Sequence, residues 1–313
     1  VKQTIVLLLF LLIPFAEVVW GQDAVKFQKV IDYDEEDKPL SLTAFVYVDR
    51  RTDEIYLIDS RGRIIIYDSS FYPLLTLDRR RGILAPLALS IDPEGNLYVI
   101  QAPSKDFPEY RISVYDPALL WVRDLYIEKP PDVEEFVPLR IAIDKKGDLY
   151  IVGSNYPGVL VVDPYDGHIK NIISPQENGQ KPPVSNVSID SEGNIYILSS
   201  WISRIFVYNS EGKFLYKFGK KGGVTGKLSQ PQAVVVDEKR DLIYIIDYMR
   251  HSVSVFDRKG RFLFEFGGKG WGEGWFLFPK YLDIDSQGRI IVADSFNKRL
   301  QVFVPLIGGG GGQ

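Results

Sequence analysis

Apolar residues along this chain fall in short runs of four to seven, separated by turns rich in Asp, Gly, Ser and Pro. Val, Ile, Tyr and Phe dominate the runs, which predicts strands rather than helices. The runs are also grouped. One phrase recurs six times: an apolar run ending in Asp, a short turn, then an apolar run containing Tyr. It reads VYVDRRTDEIYLID, LSIDPEGNLYVIQ, IAIDKKGDLYIVG, VSIDSEGNIYILS, VVVDEKRDLIYIID and LDIDSQGRIIVAD. The turn Asp falls at Asp49, Asp92, Asp144, Asp190, Asp237 and Asp285. The Tyr position falls at Tyr56, Tyr98, Tyr150, Tyr196, Tyr244 and Ile291, a period of 42 to 52 residues.

Each unit continues with a third run (IIIYD, ISVYD, VLVVD, IFVYN, VSVFD, LQVFV), and five units add a fourth, as in FLYKFG from Phe214 and FLFEFG from Phe262. Four β-prone runs joined by tight turns predict an antiparallel four-stranded meander. With that period, the unit is a propeller blade rather than a helical solenoid turn. The sixth unit stops after its third run, near Val304. Residues 24–31, AVKFQKVI, alternate like a fourth strand and have no unit of their own. The pattern therefore predicts an all-β, six-bladed β-propeller of four-stranded antiparallel blades. Its N-terminal strand completes the last blade and leaves no free edge.

Composition narrows the chemistry. The 313 residues carry a formal charge of -4, and no basic run exceeds Arg79-Arg80-Arg81, so nucleic acid is not an expected partner. Without cysteine there is no disulfide, thiolate metal site or cysteine nucleophile. Lys2, the apolar run from Ile5 to Ala16 and small Gly21 read as a secretory signal over residues 1–21, too short for a comfortable span. Val1 reads either as a non-AUG start, which would point to a prokaryotic gene, or equally as the first residue of a fragment. The expected location is periplasmic, cell-surface or extracellular, with no stable membrane span after signal cleavage. Residues 22–307 form the propeller, and the glycine-rich residues 308–313 read as a flexible tail.

These repeats resemble NHL-repeat proteins, whose units run approximately Pro-x-Gly-Val-Ala-Val-Asp, Gly-Asn-Ile-Tyr-Val-Ala-Asp, Arg-Ile-Gln-Val-Phe and Phe-Gly. PKYLDIDSQGRIIVADSFNKRLQVF, from Pro279 to Phe303, carries the resemblance best, and it extends over residues 24–304. Blades two and three depart most: Gln101 and Gly153 replace the Asp that ends the second strand, and the linking loops lengthen. The resemblance implies the six-bladed fold and leaves activity open, because that fold hosts unrelated functions.

Strand order sorts the loops onto two faces. First-to-second and third-to-fourth turns share one face and are tight. Second-to-third loops and the links between blades share the other and are variable, the usual setting for binding. On the variable face the pattern places Arg61, Asn155, Trp201, Met249 and Phe296 at equivalent positions, with Tyr156, Tyr248, Trp271 and Trp275 in neighbouring loops. This aromatic rim suits a protein, peptide or glycan partner. A second candidate is the central channel, where the inner strands aim Arg140, Asn186 and Asp283 at the axis, as an ion site or as a charge pair that fills it.

Enzymes on this fold include calcium-dependent lactonases, streptogramin-type lyases and the zinc lyase of peptide amidation. Only His168 and His251 are present, on opposite faces, so they cannot share a metal, and both read as solvated. No nucleophile elbow, Walker loop or His-Glu-x-x-His occurs. Recurring Asp-to-Arg spacings, Asp59 to Arg63 and Asp294 to Arg299, read as bracing. The expectation is a non-catalytic exported binding propeller, an accessory subunit of an envelope or extracellular assembly, with no cofactor and no metal. The alternative is a lyase or lactone hydrolase at the channel mouth.

Overall fold

The turn Asp explains why the strands begin and end where they do. At Asp92, Asp144, Asp190 and Asp285 one carboxylate oxygen accepts the backbone N–H four residues on, at 2.8–3.0 Å. The residue three after each is a glycine with φ between 78° and 95°, a left-handed conformation that only glycine adopts without cost. The turns that follow Asp49 and Asp237 are one residue longer, and there Asp53 and Asp241 take the left-handed position.

A computed structural model of the chain describes residues 24–307; the segment read as a signal, 1–21, and the glycine-rich tail, 308–313, lie outside the described residues. Twenty-four strands form six four-stranded antiparallel sheets. Blade one holds β2 (Thr43–Asp49), β3 (Glu54–Asp59), β4 (Ile64–Tyr67) and β5 (Pro73–Leu77). Blade two holds β6 (Pro86–Ile91), β7 (Leu97–Gln101), β8 (Arg111–Tyr115) and β9 (Trp121–Leu125). Blade three runs β10 (Pro138–Ile143), β11 (Leu149–Gly153), β12 (Val159–Val162) and β13 (Ile169–Ile173). Blade four runs β14 (Asn186–Ile189), β15 (Ile195–Ser199), β16 (Arg204–Tyr208) and β17 (Phe214–Phe218). Blade five runs β18 (Pro231–Asp237), β19 (Leu242–Asp247), β20 (Ser252–Asp257) and β21 (Phe262–Gly267).

The sixth blade joins β22 (Tyr281–Ile284), β23 (Ile290–Asp294) and β24 (Arg299–Pro305) to β1 (Val25–Ile31). Val25 lies opposite Pro305 and Ile31 opposite Leu300, with one irregularity between Phe27 and Lys29. The ring is closed by its N-terminal strand, as the orphaned alternation of residues 24–31 predicts. Inner strands of adjacent blades touch all the way round, β22 meeting β2. Among the described residues the helical content is nearly confined to one 3₁₀ turn, Arg79–Arg81, capped by Asp78.

Burial follows strand position. Middle strands such as β11 and β19 are buried throughout, whereas outer strands such as β9 and β17 expose their first residues. Each fully buried aliphatic side chain in the middle strands contributes roughly 1.5–3 kcal/mol relative to exposure. The Asp–Arg spacings do brace the loops: Arg63 reaches both Asp59 and Asp34 at 2.8 Å, and Arg299 meets Asp294 at 2.8 Å.

Candidate functional site

On the variable face the second-to-third loops are held from beneath by the residue that ends the second strand. Asp294 accepts the backbone N–H of Leu277 at 2.7 Å and the side chains of Asn297, Arg299 and Gln301 at 2.8–3.0 Å. Asp247 does the same for Ser229 at 2.6 Å and Gln230 at 3.1 Å. Each carboxylate ties a blade link to its loop, so the side chains above them stand on a rigid base.

Those side chains divide into two kinds. Trp271 is 77% exposed, Trp201 72% and Met249 52%. Lys221 lies 5.8 Å from the Trp201 ring and donates to the Trp201 carbonyl at 3.0 Å, which fixes that loop. Arg61 is also exposed. The others are partly spent on packing. Trp275 covers Gly268 and Gly270, where a Cβ would collide with its ring. Tyr156 is half-buried, edge-on to Phe136, and burial pushes its hydroxyl above the usual range. Asn155 is exposed but occupied, accepting from Val137 N–H at 3.2 Å and donating to the Glu135 carbonyl at 2.6 Å.

Tyr248 and Phe296 meet on one ring that the repeat pattern does not single out. Phe278, in a left-handed conformation, lies 4.9 Å from Tyr248, 5.0 Å from Phe296 and 4.5 Å from His251. His251 is therefore not a solvated surface histidine. It is buried, and its Nδ1 accepts the Phe278 backbone N–H at 2.9 Å. Burial first, and Lys269 second, lower its pKa, which favours the neutral ring that can accept. His168 is exposed, with Glu128 at 2.8 Å.

The channel residues occupy two layers. Asn186 donates to the Tyr281 hydroxyl at 2.9 Å, and the Arg140 guanidinium lies 5.5 Å from the Tyr281 ring and 5.9 Å from Phe45. Phe45 and Tyr281 of this layer line a cavity of about 440 Å³ that reaches the first-to-second turns, at Arg50, Arg51, Asp92, Lys145 and Asp190. Asp283 lies one layer nearer the mouth. It accepts the backbone N–H groups of Val48 and Ile284, both at 2.8 Å.

The expected convergence of Arg140 with Asp283 does not produce a charge pair. Arg140 turns to the aromatic rings, and the cation facing Asp283 is Arg50, at 3.7 Å. Burial raises the Asp283 pKa against the opposing pull of Arg50 and the two N–H groups. Burial, with Asp283 and Asp49 nearby, pushes the Tyr47 hydroxyl beside it up to about 12. Among the described residues no group of three or more His, Cys, Asp or Glu is placed to hold a metal ion.

Comparison with known proteins agrees with this architecture. Two overlapping stretches, 183–253 and 235–303, match the family model DUF5128, described as a 6-bladed beta-propeller. By sequence match and by topology, this is a six-bladed β-propeller. The matched stretches cover blades four to six, where the repeats are most regular. No curated protein sequence matches.

Among solved structures the chain is similar to an auxiliary nutrient binding protein from Bacteroides ovatus ATCC 8483. That similarity has 16% identity and a TM-score of 0.67, covering 92% of this chain and 75% of that one. It is also similar to a streptogramin B lyase, with 9% identity and a TM-score of 0.63, covering 90% of this chain and 98% of that one. At these identities the likeness is one of fold. Among the described residues no helix is long and apolar enough to cross a membrane.

Proposed function

We propose that this propeller is a non-catalytic binding module whose variable-loop face docks a protein, peptide or glycan partner. The observation that carries the reading is the set of large apolar side chains left open on that face, Trp201, Met249 and Trp271, the last two on loops anchored by buried carboxylates and Trp201 on a loop held by Lys221. Rigid aromatic residues give contact area at low entropic cost. A structural relative described as a nutrient binding protein is in keeping with a binding role. The N-terminal apolar segment, read as a secretory signal, supports an envelope or extracellular setting, and the NHL-like repeat suits an accessory subunit there. The channel supports the alternative of a lyase or lactone hydrolase less well. Three of its polar groups are engaged with one another or with backbone, Asn186 with Tyr281, Asp283 with two N–H groups and Arg50, and Arg140 through Nη1 with the Leu139 carbonyl, which leaves the Arg140 Nε alone unpartnered among these side chains.

The test is a triple variant, Trp201→Ser, Met249→Ser and Trp271→Ser, compared with the parent for partner capture from an envelope extract. Capture should fall at least about ten-fold, as expected when several hot-spot side chains are lost, with the melting temperature unchanged. Undiminished capture by a folded triple variant would remove the rim from consideration.

A further inference from the structure

A second site is built into the flank of blade two and is lined by none of the rim residues. The wall is formed by the link from blade one, by the loop before β8, and by the turn into β9. Together they enclose a cavity of about 640 Å³ lined by Arg81, Phe107, Arg111, Leu120, Trp121 and Asp124. Its lining joins apolar and aromatic surface to guanidinium groups.

Arg111 is the decisive residue. It is only 2% exposed, and its buried Nε and Nη1 make no hydrogen bond. The guanidinium carbon lies over the Phe107 ring, 3.8 Å from its centre. Its nearest carboxylate oxygen, Asp124 Oδ1, is 3.5 Å from Nε and already accepts the Ser113 hydroxyl at 2.6 Å. A buried guanidinium left with unused donors is costly, and repeat architecture shows why this one is short of a partner.

In blade six the equivalent pair across the second and third strands is Asp294 with Arg299, joined at 2.8 Å. In blade two the same register position pairs Gln101 with Arg111. Gln101 fills the structural slot of the aspartate, accepting the link N–H of Leu84 at 2.7 Å and donating to Gly82 and Ser113. It supplies no negative charge. The repeat has kept its arginine and given up the carboxylate that would neutralise it.

We infer that this cavity binds a carboxylate carried on an apolar or aromatic body, with Arg111 as the anion partner. Phe107, Leu120 and Trp121 contact the body. Arg81, exposed at the wall, adds attraction at the entrance. A planar carboxylate matches the guanidinium's in-plane donors. Such a group is offered equally by a small aromatic acid and by the C-terminal end of a peptide.

Calorimetric titration of the whole protein separates these sources. Phenylacetate is the small-acid probe, and short peptides ending in Phe, with a free or an amidated C-terminus, are the chain-end probe. Binding of phenylacetate assigns the site to small acids. Binding of the free-ended peptide, lost on amidation, assigns it to chain ends. Arg111→Gln should weaken either at least about ten-fold, and Trp121→Ala should weaken it with the fold intact, since Trp121 is 58% exposed. Asp124→Asn removes the competing charge and should tighten binding about ten-fold, an effect that a purely structural Arg111 would not produce. If Arg111→Gln does not fold, the Trp121 and Asp124 variants decide. Failure of the unaltered protein to bind any probe, or weakening by Asp124→Asn, would overturn the inference.

Discussion

Blade six and blade two solve one structural problem with different chemistry. In both, the residue ending the second strand must satisfy the N–H of the incoming link and hold the next loop. Blade six uses Asp294, which gathers Leu277, Asn297, Arg299 and Gln301 around one buried charge. Blade two uses Gln101, which meets Leu84, Gly82 and Ser113 with no charge at all. Blade three goes further: Gly153 leaves the space to the Phe136 ring. The group at the end of the second strand decides whether the arginine across from it meets a carboxylate there or must find one elsewhere, as Arg204, opposite Ser199, does with Glu177 at 3.3 Å.

Three measurements would break or sharpen this contrast. The largest effect is expected from removing residues 24–31, which serve the most regular blade. With β24 bared and Val25 and Ile31 lost from the core, the melting temperature should fall by more than about 10 °C in thermal unfolding. An unchanged melting curve would mean that ring closure contributes nothing.

A pH titration asks whether the regular and divergent halves unfold together. Tyr98, Tyr115 and Tyr150, in blades two and three, are pushed up to about 12, by burial first. Tyr196 and Tyr244, in blades four and five, are also raised, again mainly by burial. A phenol whose ionisation is delayed in the folded state contributes stability in full below its ordinary value of about 10. That contribution is lost as the pH rises towards 12. Tyrosinate absorbance and circular dichroism should therefore change in one alkaline step. Two separated steps would divide the ring into halves of unequal strength.

The smallest effect is local. Asp294→Ala strands four donors and should cost about 3–5 kcal/mol in urea unfolding. Gln101→Ala, which strands neutral groups only, should cost about 1–3 kcal/mol. Equal costs would erase the distinction between the charged and neutral slots.

The ring was legible in the sequence because its determinants are local and repeated. An Asp that caps its own turn, a glycine three residues on and a period-two apolar run need no distant information, and residues 24–31 are conspicuous as a strand without a unit. The rim was legible as positions but not as partners. Trp201 and Trp271 stand open as the loop register suggests, whereas Tyr248 and Phe296 are drawn onto Phe278, whose backbone conformation has no sequence signature. The channel was legible only as composition. Arg140 and Asp283 share an axis, but the depth at which each side chain lies depends on ring geometry, and Arg50 reaches Asp283 from a turn rather than from an inner strand. Arg111 could have been noticed by setting its unit beside the sixth, where the aspartate across from it is missing.

The pairing of Val25 with Pro305 also sets an order in time. Five blades are made from contiguous sequence and can form as each segment emerges, since their contacts are near neighbours in the chain. The sixth joins strands from the two ends of the described chain, so β1 must wait, unpaired and half apolar, until β24 has been made. Closure is thus the least local contact in the ring, with the entropic cost of the longest loop in the molecule.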